Sequence, residues 1–198
     1  IVEEAFAAAY AGGLTMIAAA GNASPCEGGP PPADNEIYPA KFPGIMAVAA
    51  TLNTNARACF SSVGPDLEVA APGVAILSSW VDTNTSYMEL SGTSMAAPHV
   101  TGLAAILLGC DPTLTNDEVY GVIDSTAKDL DSPLVPGALD GRDTWCGYGL
   151  IQAIPAADVA CGGGTVTPTA TRPPSTAIRT STATRTPTPA VRPTSPPC

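Results

Sequence analysis

Histidine is almost absent: the 198 residues contain one, His99. Chemistry that needs a neutral-pH base from this chain has a single imidazole to draw on. Basic residues are also scarce, eight Lys and Arg against eighteen Asp and Glu, for a net charge of -10. The chain therefore has no electrostatic reason to hold nucleic acid or an anionic membrane. Aromatic residues are 5% and charged residues 13%, while hydrophobic residues reach 45%. That balance excludes a coiled coil, a collagen or a wholly disordered polymer. No uninterrupted apolar run reaches about 18 residues, so no transmembrane helix is expected. CxxC pairs are missing, which weakens zinc and thioredoxin-type readings. What remains is a length sufficient for one domain with a sizeable core.

Composition divides the chain. Residues 165–198 hold 8 Pro, 11 Thr and 3 Ser and no acidic residue, while Arg172, Arg179, Arg185 and Arg192 supply half of the basic residues. A stretch so poor in large apolar side chains cannot offset its ordering entropy by burial. Residues 162–198 therefore read as a disordered Thr/Pro/Ser-rich linker, extended and partly polyproline-II. It is either a bare spacer or an O-glycosylated stalk. Residues 1–161 form the folded part. They open on a helical pattern (Val2, Phe6, Ala9, Tyr10) with no initiating Met and no export signal, which reads as a fragment. Six cysteines lie at 26, 59, 110, 146, 161 and 198. They suit disulfides in an exported protein, with fifteen connectivities open. Cys146 and Cys161 flank the last helix and are the expected pair; buried free thiols are the alternative.

Apolar patterning predicts an α/β fold. The runs Leu14–Ala20 and Ile45–Ala50 are continuous, as parallel strands buried on both faces require. Shorter strands fit Leu67–Ala70, Ile76–Ser79 and Tyr87–Leu90. A helix is expected from about Ser94 to Gly109, with Pro98 tolerated in its first turn. Another begins at Thr115, where Glu118 three residues on makes a capping box. The last spans Leu150–Val159, and Pro155 should kink or shorten it. Strands interleaved with helices indicate a parallel sheet with helices on both faces.

The most specific stretch is Leu90-Ser-Gly-Thr-Ser-Met-Ala-Ala-Pro-His-Val-Thr-Gly102. Gly92 permits a turn that delivers Ser94 to a helix start, where peptide N–H groups are unpaired and the dipole is positive. A serine so placed can attack a carbonyl while its own N–H holds the oxyanion. It can equally be a helix cap. A second piece, Ala18-Ala-Ala-Gly-Asn22, ends a buried strand in Gly then Asn. Ligand-handling residues sit past the carboxyl ends of parallel strands. The Asn22 amide can donate to an oxyanion there, or simply form a turn.

Taken together, residues 1–161 resemble the C-terminal half of the catalytic domain of subtilisin-like serine proteases. Gly92-Thr-Ser-Met-Ala-Ala-Pro-His99 resembles the nucleophile motif and Ala19-Ala-Gly-Asn22 the oxyanion motif. Tyr38-Pro-Ala-Lys-Phe-Pro43, Phe60-Ser-Ser-Val-Gly-Pro65, Ala71-Pro-Gly73 and Gly147-Tyr-Gly-Leu150 also match. The resemblance implies a partial subtilisin-like three-layer fold: a mostly parallel sheet flanked by helices, with a disordered C-terminal tail. It implies a serine endopeptidase in which Ser94 is the nucleophile and Asn22 an oxyanion donor. Ala19, Ala20, Gly21 and Ala23 would line the substrate wall. The Asp and His of the triad, and a substrate-pairing strand, precede the Asn motif in the family and are not among these residues. The 198 residues alone are therefore expected to be inactive. His99 is five residues past Ser94, about 140° around the helix, and in the family it packs beneath it.

The resemblance requires no cofactor. It allows a structural Ca²⁺ held by carbonyls of Ala40, Phe42 and Ile45 with the Glu68 carboxylate. Expected partners are protein or peptide substrates bound to an extracellular monomer, tethered to a cell surface through its tail. The alternative is a non-catalytic homologue that binds peptides or serves as a surface protein.

Overall fold

The structure, a computed structural model, describes residues 1–26, 33–130 and 141–162. The expected linker lies outside the described residues from 163 onward. The elements run α1 (Val2–Ala11), β1 (Met16–Ala19), β2 (Ile45–Thr51), β3 (Leu67–Pro72), β4 (Ile76–Ser79), β5 (Tyr87–Leu90), α2 (Thr93–Cys110), α3 (Asn116–Thr126) and α4 (Ala153–Cys161).

Strands β1, β2 and β3 form a parallel sheet in that order. All seven residues of central β2 are buried, which is why it reads as an unbroken apolar run. β1 was expected to be buried on both faces, but its four residues are only half-buried. It is an edge strand, paired to β2 alone. β4 and β5 make a separate antiparallel hairpin, with Ile76 opposite Leu90 and Ser79 opposite Tyr87.

One sheet face packs Met46, Val48, Ala50, Val69 and Ala71 against Val100, Leu103 and Leu107 of α2 and Val119, Val122 and Ile123 of α3. Helix α4 joins this layer through Ala156. The opposite face buries Ala47, Ala49, Leu67 and Ala70 beneath Ala20, Ala40, Cys146 and Trp145. Among the described residues the cover on that side is loop segments rather than a helix. α1 lies against the sheet's entry. Tyr10 stacks on Tyr120 at 6.4 Å, and Phe6 meets Phe42 at 5.3 Å.

Helix α2 is long and apolar enough to cross a bilayer by length and composition. It is nonetheless the helix laid across all three parallel strands, with Ala96, Val100 and Leu107 fully buried. Pro98 is the sixth residue of α2, which starts at Thr93, and so sits in the second turn, not the first. Its missing N–H leaves the Ser94 carbonyl without a helical partner. The Thr115 capping box is present in both directions. α4 starts at Ala153, three residues after the expected Leu150, so Pro155 falls in its first turn and the helix is shortened at its start.

The cysteine pairing corrects the sequence expectation. Cys161 bonds Cys110, and Cys26 bonds Cys59. α4 packs on α2, which brings Cys161 to the end of α2. Cys146 is instead a buried free thiol in the cluster on the other face of the sheet. Burial first, then the Asp143 charge, pushes its pKa up to about 12, so it stays protonated and unreactive.

Candidate active site

β1 delivers the chain to Ala20, Gly21 and Asn22 at the carboxyl end of the parallel sheet. Gly21 turns there with φ +112°, and a Cβ would come within 2.9 Å of Ser62 Oγ and 3.0 Å of Ile37. Only glycine fits both demands. The start of α2 is docked onto the end of β3. The Gly92 N–H donates to the Gly73 carbonyl at 2.8 Å, and a Cβ on Gly73 would lie 2.6 Å from Ala50. These two glycines bring a strand exit and a helix start together.

Thr93 links them. Asn22 Oδ1 accepts from both the Thr93 N–H and the Thr93 hydroxyl, each at 2.9 Å. The same hydroxyl oxygen accepts from the Gly21 N–H at 3.2 Å. With Oδ1 doubly engaged, the Asn22 carboxamide is fixed in orientation and Nδ2 faces the other way. The space beside Gly92 shows where. A Cβ placed there would sit 3.3 Å from Asn22 Nδ2 and 3.7 Å from the Ser94 backbone nitrogen. The Asn22 amide nitrogen and the Ser94 backbone nitrogen thus lie near each other beside Gly92. No described residue accepts from the Ser94 N–H, as expected in the first turn of a helix.

Ser94 is exposed. It borders a cleft of about 340 Å³, lined by Ile76, Leu77 and Ser78 of β4 and by Ser94, Met95 and His99 of α2. His99 was expected to pack beneath α2. It is exposed instead, and its Nδ1 lies 2.9 Å from the Met95 carbonyl. That bond ties the ring to its own helix, a turn away from Ser94.

The expected substrate wall is partly corrected. Ala19 is half-buried and Ala23 exposed. Ala20 is fully buried; its N–H donates to Val48 and its carbonyl accepts from Ile37. It supports the wall from beneath and presents no surface. Gly21 is likewise buried and acts through its backbone.

The calcium expectation does not fit the residues. The Glu68 carboxylate faces the Arg142 guanidinium at 3.9 Å, and the Phe42 carbonyl accepts the Ile45 N–H. No group of three or more His, Cys, Asp or Glu among the described residues is placed to hold a metal. No step below is routed through a metal.

Sequence reasoning brought out Ser94 and Asn22, which the structure brings together, but missed Thr93 and Ile37. Thr93 carries no signal until Asn22 is placed against the helix start. Ile37 packs on Gly21 while remaining 49% exposed.

The structure thus sets an exposed serine at a helix start near a carboxamide at the end of a strand of a parallel sheet. The subtilase family model matches residues 2–149. The chain belongs to the subtilase family. It is 41% identical over 157 residues to Subtilisin DY of Bacillus licheniformis, covering 79% of this chain and 51% of that protein. It is 42% identical over 149 residues to Subtilisin NAT of Bacillus subtilis subsp. natto, covering 75% and 35%. Among solved structures, the prenylagaramide maturation protease PagA superposes with TM-score 0.65 at 26% identity, over 80% of this chain and 55% of that one. A protease from Pseudoalteromonas arctica PAMC 21717 gives 0.66 at 29%, over 80% and 46%. The chain thus spans about half or less of the length of these relatives.

Proposed function

We propose that these residues are part of a serine endopeptidase, with 1–161 the C-terminal portion of the catalytic domain and 162–198 a linker. The observation that carries this is the docking of Asn22 on the start of α2, where Thr93 holds its Oδ1 and both its Nδ2 and the Ser94 nitrogen lie beside Gly92. Ser94 Oγ attacks the scissile carbonyl carbon. The tetrahedral oxyanion accepts from Asn22 Nδ2 and the Ser94 N–H as its charge develops. Collapse expels the amine, and water hydrolyses the acyl-enzyme. The base and its orienting carboxylate come from sequence preceding the Asn22 motif. His99, held to the Met95 carbonyl, does not replace the base, so the 198 residues alone are inactive. Peptide substrates bind extended along the Ala19–Ala23 wall. The absence of charge there favours large apolar side chains before the scissile bond. The two disulfides support an oxidising, extracellular location.

The second reading is a non-catalytic homologue that binds peptides. The residues that precede the Asn22 motif discriminate: a missing Asp or His there would leave Ser94 without its base. Ser94→Ala in the full-length protein decides between them. Hydrolysis of a chromogenic peptide should drop to background; undiminished turnover refutes the nucleophile.

A further inference from the structure

Asn22 lies on a segment, Asn22–Cys26, that belongs to no helix or strand. Thr93 clamps its carboxamide from the α2 side. The backbone is held from the other side by residues 57–62. The Ala23 N–H donates to Ser62 Oγ at 3.2 Å and the Ser24 N–H to the Phe60 carbonyl at 3.1 Å. The Cys26–Cys59 disulfide closes the far end. In the middle stands Arg57. Its Nη2 donates to Ser24 Oγ at 2.9 Å and to the Ser61 carbonyl. Its guanidinium carbon sits 5.1 Å over the Trp145 ring. Ser24 Oγ also accepts from Asn35 Nδ2 at 3.0 Å, and Asn35 Oδ1 accepts from the Val63 N–H at 2.7 Å.

This arginine is half-buried, forms no ion pair with any carboxylate among the described residues, and leaves a buried Nε without a partner. Desolvating a cation without a counter-charge is costly. A lysine lacks the planar guanidinium that sits over the indole.

We propose that Arg57 is a positioning residue for Asn22. Held flat against Trp145, it fixes Ser24, and through Ser24 the carboxamide donor two residues upstream. This rests on the reading of Ser94 and Asn22 as nucleophile and oxyanion donor. Arg57 never touches substrate. Its effect belongs in kcat, because a donor displaced by a fraction of an ångström stabilises the transition state less while leaving ground-state binding unchanged.

The test is a double-mutant cycle in the full-length protein. Arg57→Ala should lower kcat about tenfold with KM held within about twofold. In an Asn22→Ala background the same substitution should change kcat less than about twofold, because the donor it positions is gone. Equal kcat losses in both backgrounds, a loss confined to KM, or no loss overturns the proposal. Should Arg57→Ala not fold, Ser24→Ala removes only the hydroxyl that Arg57 holds and carries the same cycle. Ser94→Ala separates this from the underlying reading. If hydrolysis persists in Ser94→Ala, that reading fails. The brace is then judged by the Asn22 side-chain amide resonances in Ser94→Ala protein: broadened or doubled by Arg57→Ala if the brace exists, unchanged if it does not.

Discussion

Beside the start of α2, the Gly21–Cys26 segment is tied to α2 through Thr93, to residues 57–62 through backbone and guanidinium bonds, and to Cys59 by a disulfide. On the other side, the β4–β5 hairpin is held chiefly by its own antiparallel ladder. It exposes Leu77 at 66% and Tyr87 at 70%. Both segments meet the start of α2, the first at Thr93 and the second at the Ser94 cleft, yet among the described residues only the first is fastened from several directions. Donors that must meet a developing charge gain from being fixed beforehand. Contacts that accommodate varied side chains gain from being free to adjust. Under the proposed function the braced segment would carry the reaction's electrostatics and the hairpin substrate shape.

The sharpest way to break that division is Asn22→Ala. Loss of one such donor in a subtilisin costs about 10²–10³ in kcat; the figure is carried over to this chain as an expectation. Steady-state kinetics of the full-length protein should show that loss with KM little changed. A loss residing in KM would mean that Asn22 holds substrate and not the transition state.

A second test probes the braced wall through Glu36. This carboxyl is buried, its Oε2 accepts the Asp66 N–H at 3.0 Å, and its Oε1 has no partner among the described residues. Burial first, then the Asp66 and Asp34 charges, raises its pKa to about 7, although the Asp66 N–H and Lys41 oppose the shift. The folded state thus holds this proton more tightly than the unfolded chain, whose carboxyl titrates near 4.5. Its contribution is fully present below that value and is lost as pH rises through about 7. Glu36→Gln should flatten the fall in Tm between pH 5 and pH 8. Parallel Tm profiles for variant and parent would contradict the assignment.

The smallest effect is expected on the hairpin. Leu77→Ala should raise KM about threefold for a peptide with an apolar residue after the scissile bond, with kcat unchanged. A kcat loss comparable to that of Asn22→Ala would erase the distinction between the two walls.

Local chemistry made much of this legible in the sequence. β2 reads as a strand because all seven of its residues are buried. α3 announces its start because Thr115 and Glu118 satisfy each other's backbone donors. Ser94 and Asn22 stood out because a glycine precedes a polar residue at an element boundary in each case. What stayed hidden depends on long-range placement. Cys161 finds Cys110 only because α4 lies on α2. β1 is half-exposed because it pairs on one side only, which its apolar run does not reveal. Thr93 looks like an ordinary first-turn residue until Asn22, 71 positions earlier, places its carbonyl oxygen against it.

The central claim is that Asn22 Nδ2 and the Ser94 N–H serve one oxyanion. The most direct measurement is a crystal structure of the full-length protein after reaction with a peptidyl phosphonate, whose adduct places a phosphonyl oxygen where the oxyanion forms. The account expects a covalent bond to Ser94 Oγ, with that oxygen about 2.7–3.1 Å from both nitrogens. An adduct on another residue, or an oxygen turned away from Asn22, would contradict it.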